Sequence, residues 1–356
     1  MSEQTTPGAA VPGRSVTELA GDVPVHADRP AQAPRRGLLH GPAGRNLGLV
    51  IALLAICIFG VATAGERFAS PENALTILRL ASVTGVVSIG MTFVIIGAGI
   101  DLSVGSVIGL ASVWASTLAT QTMAQDLNWG VMVVTALAVG LCAGLVNGVL
   151  IAYGKVVAFI ATLAMMVAAR GLAEIIAQRK TQVVSVQGFL DFFRGDLIGI
   201  PTLVWIFVLV SVAGWILLNR TTFGRRTIAV GGNPEAARLA GIKVKRHTMY
   251  LYALSGLGAG IGGVMMLGRT TAGSSTNGLF LELDVIAAVV VGGTLLVGGR
   301  GTIVGTVLGV LIFTTLSNVF TQNNLSSSAQ AVAKGVIIVV AVMLQQRIAG
   351  RTPAKT

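Results

Sequence analysis

From residue 47 onward the chain offers one long apolar run after another, separated by short polar breaks. The runs fall at 47–64, 74–96, 102–119, 129–152, 156–177, 198–218, 249–267, 285–297, 302–320 and 329–344. Most are long enough to cross about 30 Å of hydrocarbon as a helix. Lipid offers no hydrogen bonds, so each run must satisfy its own backbone groups, and at this length a helix does so. The expected fold is therefore all-α: a polytopic membrane bundle of about ten spans. The run at 285–297 is too short to cross alone and ends in Gly298-Gly299-Arg300-Gly301, which predicts a broken or re-entrant element. Charged residues make up 11% of the chain, about half the share usual in soluble proteins. Glycine, 46 of 356 residues, suits helices that pack through small side chains.

The 25 Lys and Arg set an orientation. If the N-terminus is cytoplasmic, the segments on that side (1–46, 97–101, 153–155, 219–248, 298–301 and 345–356) carry 17 of them. Those on the other side (65–73, 120–128, 178–197, 268–284 and 321–328) carry 5, a clear positive-inside excess that puts both termini in the cytoplasm. The net charge of +11 is thereby explained as topology, and a nucleic-acid partner is not expected. Residues 1–46, rich in Pro, Gly, Ala and Arg, read as a disordered cytoplasmic tail, 47–346 as the transmembrane domain and 347–356 as a second tail. Cys57 and Cys142 fall in apolar runs and predict buried thiols without a disulfide. His26, His40 and His247 have no metal-ligand spacing, so no metal site is expected. Gly105-Ser106-Val107-Ile108-Gly109-Leu110 echoes Gly305-Thr306-Val307-Leu308-Gly309-Val310, each opening an inside-to-outside span, as parallel internal repeats would.

The longest polar interruption, 219–248, holds seven Lys or Arg and a short helix with both ends marked. Asn233 suits the N-cap, Pro234 the first helical position, Glu235 the first turn, and Gly241 the left-handed residue that ends a helix. Arg238, three residues after Glu235, pairs with it on one face or reaches an acidic group on a partner. So short a helix does not stand alone in water, which points to docking on a partner.

Gly97-Ala98-Gly99-Ile100-Asp101-Leu102-Ser103-Val104-Gly105-Ser106 separates two spans. An Asp at membrane depth is costly and marks a site or pathway by default, yet Asp101 also stands where a cap for the next helix belongs. Both readings stand. Asp101, Ser103, Ser106 and Asn147 are the candidates for contact with a translocated solute, Asn147 having interhelical bonding as its alternative. Arg170 and Glu174, four apart, are expected to form a snorkelling pair, and Arg79 and Lys334, also near outer ends, to snorkel. The loops 178–197 and 268–284 are the longest on the non-cytoplasmic side; Asp191, Asp196, Arg269 and Glu282 are their candidate docking residues.

The segment 98–106 resembles a signature of ABC-transporter permeases that import monosaccharides of the ribose, xylose and galactoside type. The segment 231–242 resembles that family's cytoplasmic loop, as does Asp284-Val285-Ile286-Ala287-Ala288-Val289-Val290-Val291-Gly292-Gly293-Thr294 with Gly298–Thr302 a further shared stretch, all in the family's order. The resemblance implies a subunit in a bacterial cell membrane, working with a second permease copy (identical or a paralogue), two ATPase subunits and an extracytoplasmic sugar-binding protein. It gives the 233–241 helix the role of coupling to the ATPase. The chain has no Gly-x-x-x-x-Gly-Lys-Ser/Thr loop, so ATP and Mg belong to the partner, and the chain itself is neither an enzyme nor a cofactor carrier. Alternatives are a related permease for branched-chain amino acids or nucleosides and, less favoured for want of intramembrane carboxylates, an ion-coupled transporter.

Overall fold

The computed structural model describes residues 42–349; the tail expected over 1–46, up to residue 41, and the second tail beyond residue 349 lie outside the described residues. The chain runs through α1 (Pro42–Ala64), α2 (Glu66–Ala69), α3 (Pro71–Ile96), α4 (Val104–Ala115), α5 (Leu118–Asp126), α6 (Gly130–Ala152) and α7 (Ala158–Ala177). After β1 (Gln182–Val183), α8 (Gln187–Arg194), β2 (Asp196–Leu197) and β3 (Ile200–Pro201) come α9 (Thr202–Arg220), α10 (Thr222–Gly232) and α11 (Pro234–Leu239). It closes with α12 (Val244–Thr270), β4 (Ala272–Gly273), α13 (Leu281–Val291), α14 (Ile303–Gln322) and α15 (Ser327–Ala349). The fold is an all-α, multi-pass membrane bundle. Among the described residues, seven helices are long and apolar enough to cross: Asn46–Ala64 within α1, and α3, α6, α7, α9, α12 and α14.

Three of the ten expected spans are not among these seven: the run at 329–344 falls within α15, and two others are shorter. The run at 285–297 becomes the 11-residue α13 followed by an irregular stretch in which Gly293, Gly298 and Gly299 take positive φ, the broken element expected there. The run at 102–119, expected to cross, corrects to the 12-residue α4, only about 18 Å long. Thr117 starts a new helix by accepting the Thr120 N–H at 3.3 Å, and α5 turns polar. Gln121 of α5 then donates to the Ser116 carbonyl at 2.8 Å and accepts from Ser185 N–H at 2.8 Å, holding α5 across the end of the bundle. Apart from Trp114, the residues of α4 are buried, so it meets protein rather than lipid.

The tightest crossing is α6 on α12. Gly140, Gly144 and Gly148 recur every fourth residue on α6 and face Gly256, Gly260 and Met249 of α12. A methyl group at Gly140 would collide with the Gly256 carbonyl and the Gly260 backbone, and one at Gly256 with the backbone of Gly140 and Gly144. The two backbones touch, the membrane packing that small residues permit. α3 runs against α12, α9, α13 and α14, and is buried for most of its length. The echoed glycines serve one purpose at two places: the α13 backbone at Ala288 and Gly292 lies against Gly305 and Gly309, and the 275–278 turn lies against Gly105 and Gly109.

One end of the bundle carries α10 and α11 and is the basic end. At the opposite end, β1 pairs antiparallel with β4 (Gln182 opposite Gly273), and β2 pairs with β3. The amphipathic α8 lays Phe189 and Phe193 on the bundle, with the Trp129 ring 4.9 Å from that of Phe192. The two loops expected to dock a partner are therefore joined into one platform.

Candidate functional site

Asp101 ends the turn between α3 and α4 and is 1% exposed. Its Oδ1 accepts from the Ser103 N–H at 3.0 Å and from Ser103 Oγ at 2.6 Å, so it holds the residue before α4 and does not cap the helix's own N–H groups. Its Oδ2 accepts from Ser255 Oγ of α12 at 2.8 Å. Asn147 of α6 donates to Ser103 Oγ at 2.9 Å. Three of the four pathway candidates are thus brought together; Ser106, also buried, sits on α4 one turn further. The Asn147 carbonyl oxygen is buried with no hydrogen-bond partner. Ser255, and Tyr252 whose hydroxyl donates to the Ile100 carbonyl at 3.3 Å, complete the cluster from α12, far along the chain with no motif to announce them.

At the basic end, Thr221 caps α10 through the Phe223 and Gly224 N–H groups, at 3.2 and 3.4 Å. Asn233 caps α11, its Oδ1 accepting from Glu235 N–H at 3.1 Å and Ala236 N–H at 3.0 Å, with Pro234 next in line. The other end closes just as fully. Gly241 at φ 82° donates to the Arg238 carbonyl and Ile242 to the Ala237 carbonyl, each at 3.0 Å, the paired bonds of a Schellman ending. Arg238 grips Glu235 through two contacts, 2.5 and 3.2 Å, and that carboxylate holds the guanidinium above its ordinary pKa. Leu239, beside them, is 78% exposed.

This arm is keyed into the bundle. Thr227 Oγ1 of α10 lies 2.9 Å from His247 Nε2 at the foot of α12, and the His247 ring lies 4.7 Å from Phe223. Gly231, at the α10–α11 junction, lies against the Ile96 carbonyl and the Gly299 amide so closely that any side chain would collide with backbone. The break after α3, the break after α13 and the α10–α11 junction therefore meet at one point.

Among the residues expected at the opposite end, Asp191 lies on exposed α8 and accepts from Gln187 at 2.7 Å. Asp196 pairs with Arg79 at 3.1 Å, fastening β2 to α3. Arg269 ends α12 with its Nη2 3.2 Å from Met266 sulfur. Glu282 corrects the expectation for its loop: it is 8% exposed, turned inward against Gly105 because the α13 helix starts there and rotates it toward α4. The expected Arg170–Glu174 pair is not formed. Arg170 instead donates to the Ser275 and Asn277 carbonyls, while Glu174 lies 3.6 Å from Arg179. Among the described residues no group of three or more His, Cys, Asp or Glu is gathered.

Residues 73–344 match the family profile described as branched-chain amino acid transport system / permease component. The chain is 41% identical over 310 residues to the ribose import permease protein of Bacillus subtilis (strain 168), covering 85% of this chain and 92% of that one. It is 39% identical over 302 residues to the ribose import permease protein of Escherichia coli (strain K12), covering 84% and 92%. It is 37% identical over 322 residues to the L-arabinose transport system permease protein of the same organism, covering 88% and 94%. No solved structure matches the chain.

Proposed function

Since the chain belongs to the family of branched-chain amino acid transport system permease components, we propose that it is the membrane-spanning subunit of an ATP-driven ABC importer for a monosaccharide. The ribose and arabinose permeases it resembles over more than four-fifths of its length support a sugar as cargo. In this reading the chain lies in a bacterial cell membrane with its basic end and both termini in the cytoplasm. It works with an ATPase subunit that binds ATP and Mg, with a second permease copy and with an extracytoplasmic binding protein received on the platform of α8 and the paired loops.

One observation carries the reading: α11 is capped at both ends, projects from the basic end, and is keyed through Gly231 to both helix breaks. A six-residue helix with Glu235, Arg238 and Leu239 outward is a rigid handle for a partner, and full capping keeps it from unravelling when pulled. When the ATPase closes, the handle moves α10, and the motion reaches Ile96 and Gly299 through contacts that have no side chain to absorb it. Asp101, five residues past Ile96, holds the far end of the first break to α12 through Ser255.

A second reading, a zwitterionic amino acid as cargo, is favoured by the family's description and by the Asp284–Lys334 pair at 2.9 Å, which offers both charges to such a solute. Purification from native membranes with mass spectrometry of what accompanies the chain, followed by uptake of labelled D-ribose, L-arabinose and L-leucine in proteoliposomes, separates the readings. An ATPase and a binding protein should co-purify, and a sugar should enter only with ATP. A chain that emerges alone and transports on an ion gradient overturns the proposal.

A further inference from the structure

At the basic end, the foot of α12, the first turns of α10 and the turn that ends α11 surround a cavity of about 500 Å³. Arg226, Lys243 and Arg246 line it together with Thr222, Phe223 and Tyr250. Between residues 219 and 250 the one side-chain carboxylate is Glu235, and Arg238 already holds it. Among the described residues, the ion pairs leave Arg226, Lys243 and Arg246 without a carboxylate partner. Three cations thus share one hollow with no counter-charge from the chain itself, an arrangement whose repulsion an anion removes. The cavity also opens on Thr222 and Phe223, the first residues of α10, where the helix dipole is positive.

The depth of the cavity narrows the choice of anion. α9 and α12 are both long enough to span the membrane, and the cavity lies where α9 has just ended and α12 has just begun. Each helix carries a cation over an aromatic ring at that level: the Arg220 guanidinium lies 5.4 Å from the Trp215 ring, and that of Arg246 lies 5.4 Å from the Tyr250 ring. Amphipathic rings of this kind sit at the depth of lipid headgroups. Arg246 Nε donates to Tyr250 Oη at 2.6 Å, which fixes the guanidinium plane and leaves its Nη groups for a forked contact with phosphate. Phe223 and Tyr250 give the cavity an apolar wall beside its cations, which suits a lipid headgroup at the acyl boundary better than a fully hydrated ion.

We propose that this cavity binds the phosphate of an anionic phospholipid of the cytoplasmic leaflet, the side of the membrane resting on the permease reading above. Lys243 and Arg246 hold the phosphate from the foot of α12 and Arg226 holds it from α10, so that one headgroup bridges the two elements. Gly241, which ends α11, lines the same cavity. The headgroup therefore braces the arm against α12, beside the place where Thr227 already meets His247.

The test is native mass spectrometry of the full-length chain in detergent, titrated with palmitoyl-oleoyl phosphatidylglycerol or, in parallel, with the phosphatidylcholine of the same acyl chains. Phosphatidylglycerol should be retained roughly tenfold more tightly, and Arg226→Gln/Lys243→Gln/Arg246→Gln should abolish that preference. Arg220→Gln/Arg225→Gln/Lys245→Gln removes the same charge outside the cavity and should leave the preference within about twofold. Equal loss in both triple variants makes the attraction diffuse and overturns the site. If the cavity variant fails to accumulate, Lys243→Gln and Arg246→Gln taken singly should each weaken retention about fivefold, and unchanged retention overturns the proposal. Displacement of the lipid by inorganic phosphate makes this a site for a free anion and overturns the lipid assignment. So does a cavity variant that keeps its lipid preference but no longer co-purifies with the ATPase, which gives the cavity to that partner. Binding is read without transport, so a chain that shows the preference yet imports no sugar retires the permease reading and leaves the site standing.

Discussion

The amide of Gly299 donates to the carbonyl of Ile96 across 2.8 Å, joining the break that follows α13 to the last residue of α3. Gly231 lies against both partners of that bond. Three segments far apart in sequence share one point, and it is built from backbone alone.

Gly231→Ala puts a methyl group into that point, where only backbone is available to give way. Membrane insertion should persist, while uptake falls about tenfold, the equivalent of ~1.4 kcal/mol in coupling. Measuring ATP hydrolysis beside uptake checks this: hydrolysis that continues while transport falls supports the coupling role, and unchanged uptake rejects it.

Asn233→Ala removes the cap that Glu235 and Ala236 N–H groups use. The helix end should lose about 1 kcal/mol. Faster hydrogen exchange at Glu235 and Ala236, with weaker ATPase co-purification, is the expected result; unaltered exchange would show the cap to be dispensable.

The Glu235→Arg/Arg238→Glu double variant keeps the pair inside α11 but reverses its field. The pair is solvent-exposed, so thermal stability should not move. ATPase binding should be lost if these groups meet the partner. Retained binding would assign the pair to α11 alone.

Asp101→Ala strips the acceptor from Ser103 and Ser255 in a buried place. A loss of about 1–3 kcal/mol is expected. Adding Ser255→Ala should cost less than the sum of the single changes, since the second removes a donor already orphaned. Denaturation of the four proteins in detergent measures the coupling; strict additivity contradicts it.

Gly256→Leu drives a side chain into the Gly140 and Gly144 backbone. Overpacking of this kind costs roughly 1–3 kcal/mol or more when only backbone can shift. A lowered melting temperature in detergent is expected, and a wild-type melt would show that the helices can separate freely.

Much of this was legible in residue order. Long apolar runs gave the spans because lipid admits few other structures. The handle at 233–241 announced itself because caps are local: Asn233 bonds groups two and three residues on, and Gly241 needs only its own φ. The shortness of α4 was hidden, since a half-helix buried in protein and a full span in lipid are both apolar all round. The inward turn of Glu282 and the Arg170 contact with the 275–277 turn depend on rotation and on distant partners, which spacing does not encode. Ser255 stands in a small-residue stretch that reads as packing, and only the meeting of α12 with the 97–103 turn gives it Asp101.

The glycine contact between α6 and α12 also orders events during synthesis. α6 enters the membrane long before α12 is made, and until then Gly140, Gly144 and Gly148 form a bare strip in lipid with nothing to lie against. Asp101 waits as well, because Ser255 arrives on the same late helix. The glycine strip of α6 therefore stays uncovered until α12 (Val244–Thr270) has been made, and that one helix closes the strip and brings Ser255 to Asp101 together. Stalled or truncated chains should stand out to membrane proteases for that reason, their age written in an unclosed seam.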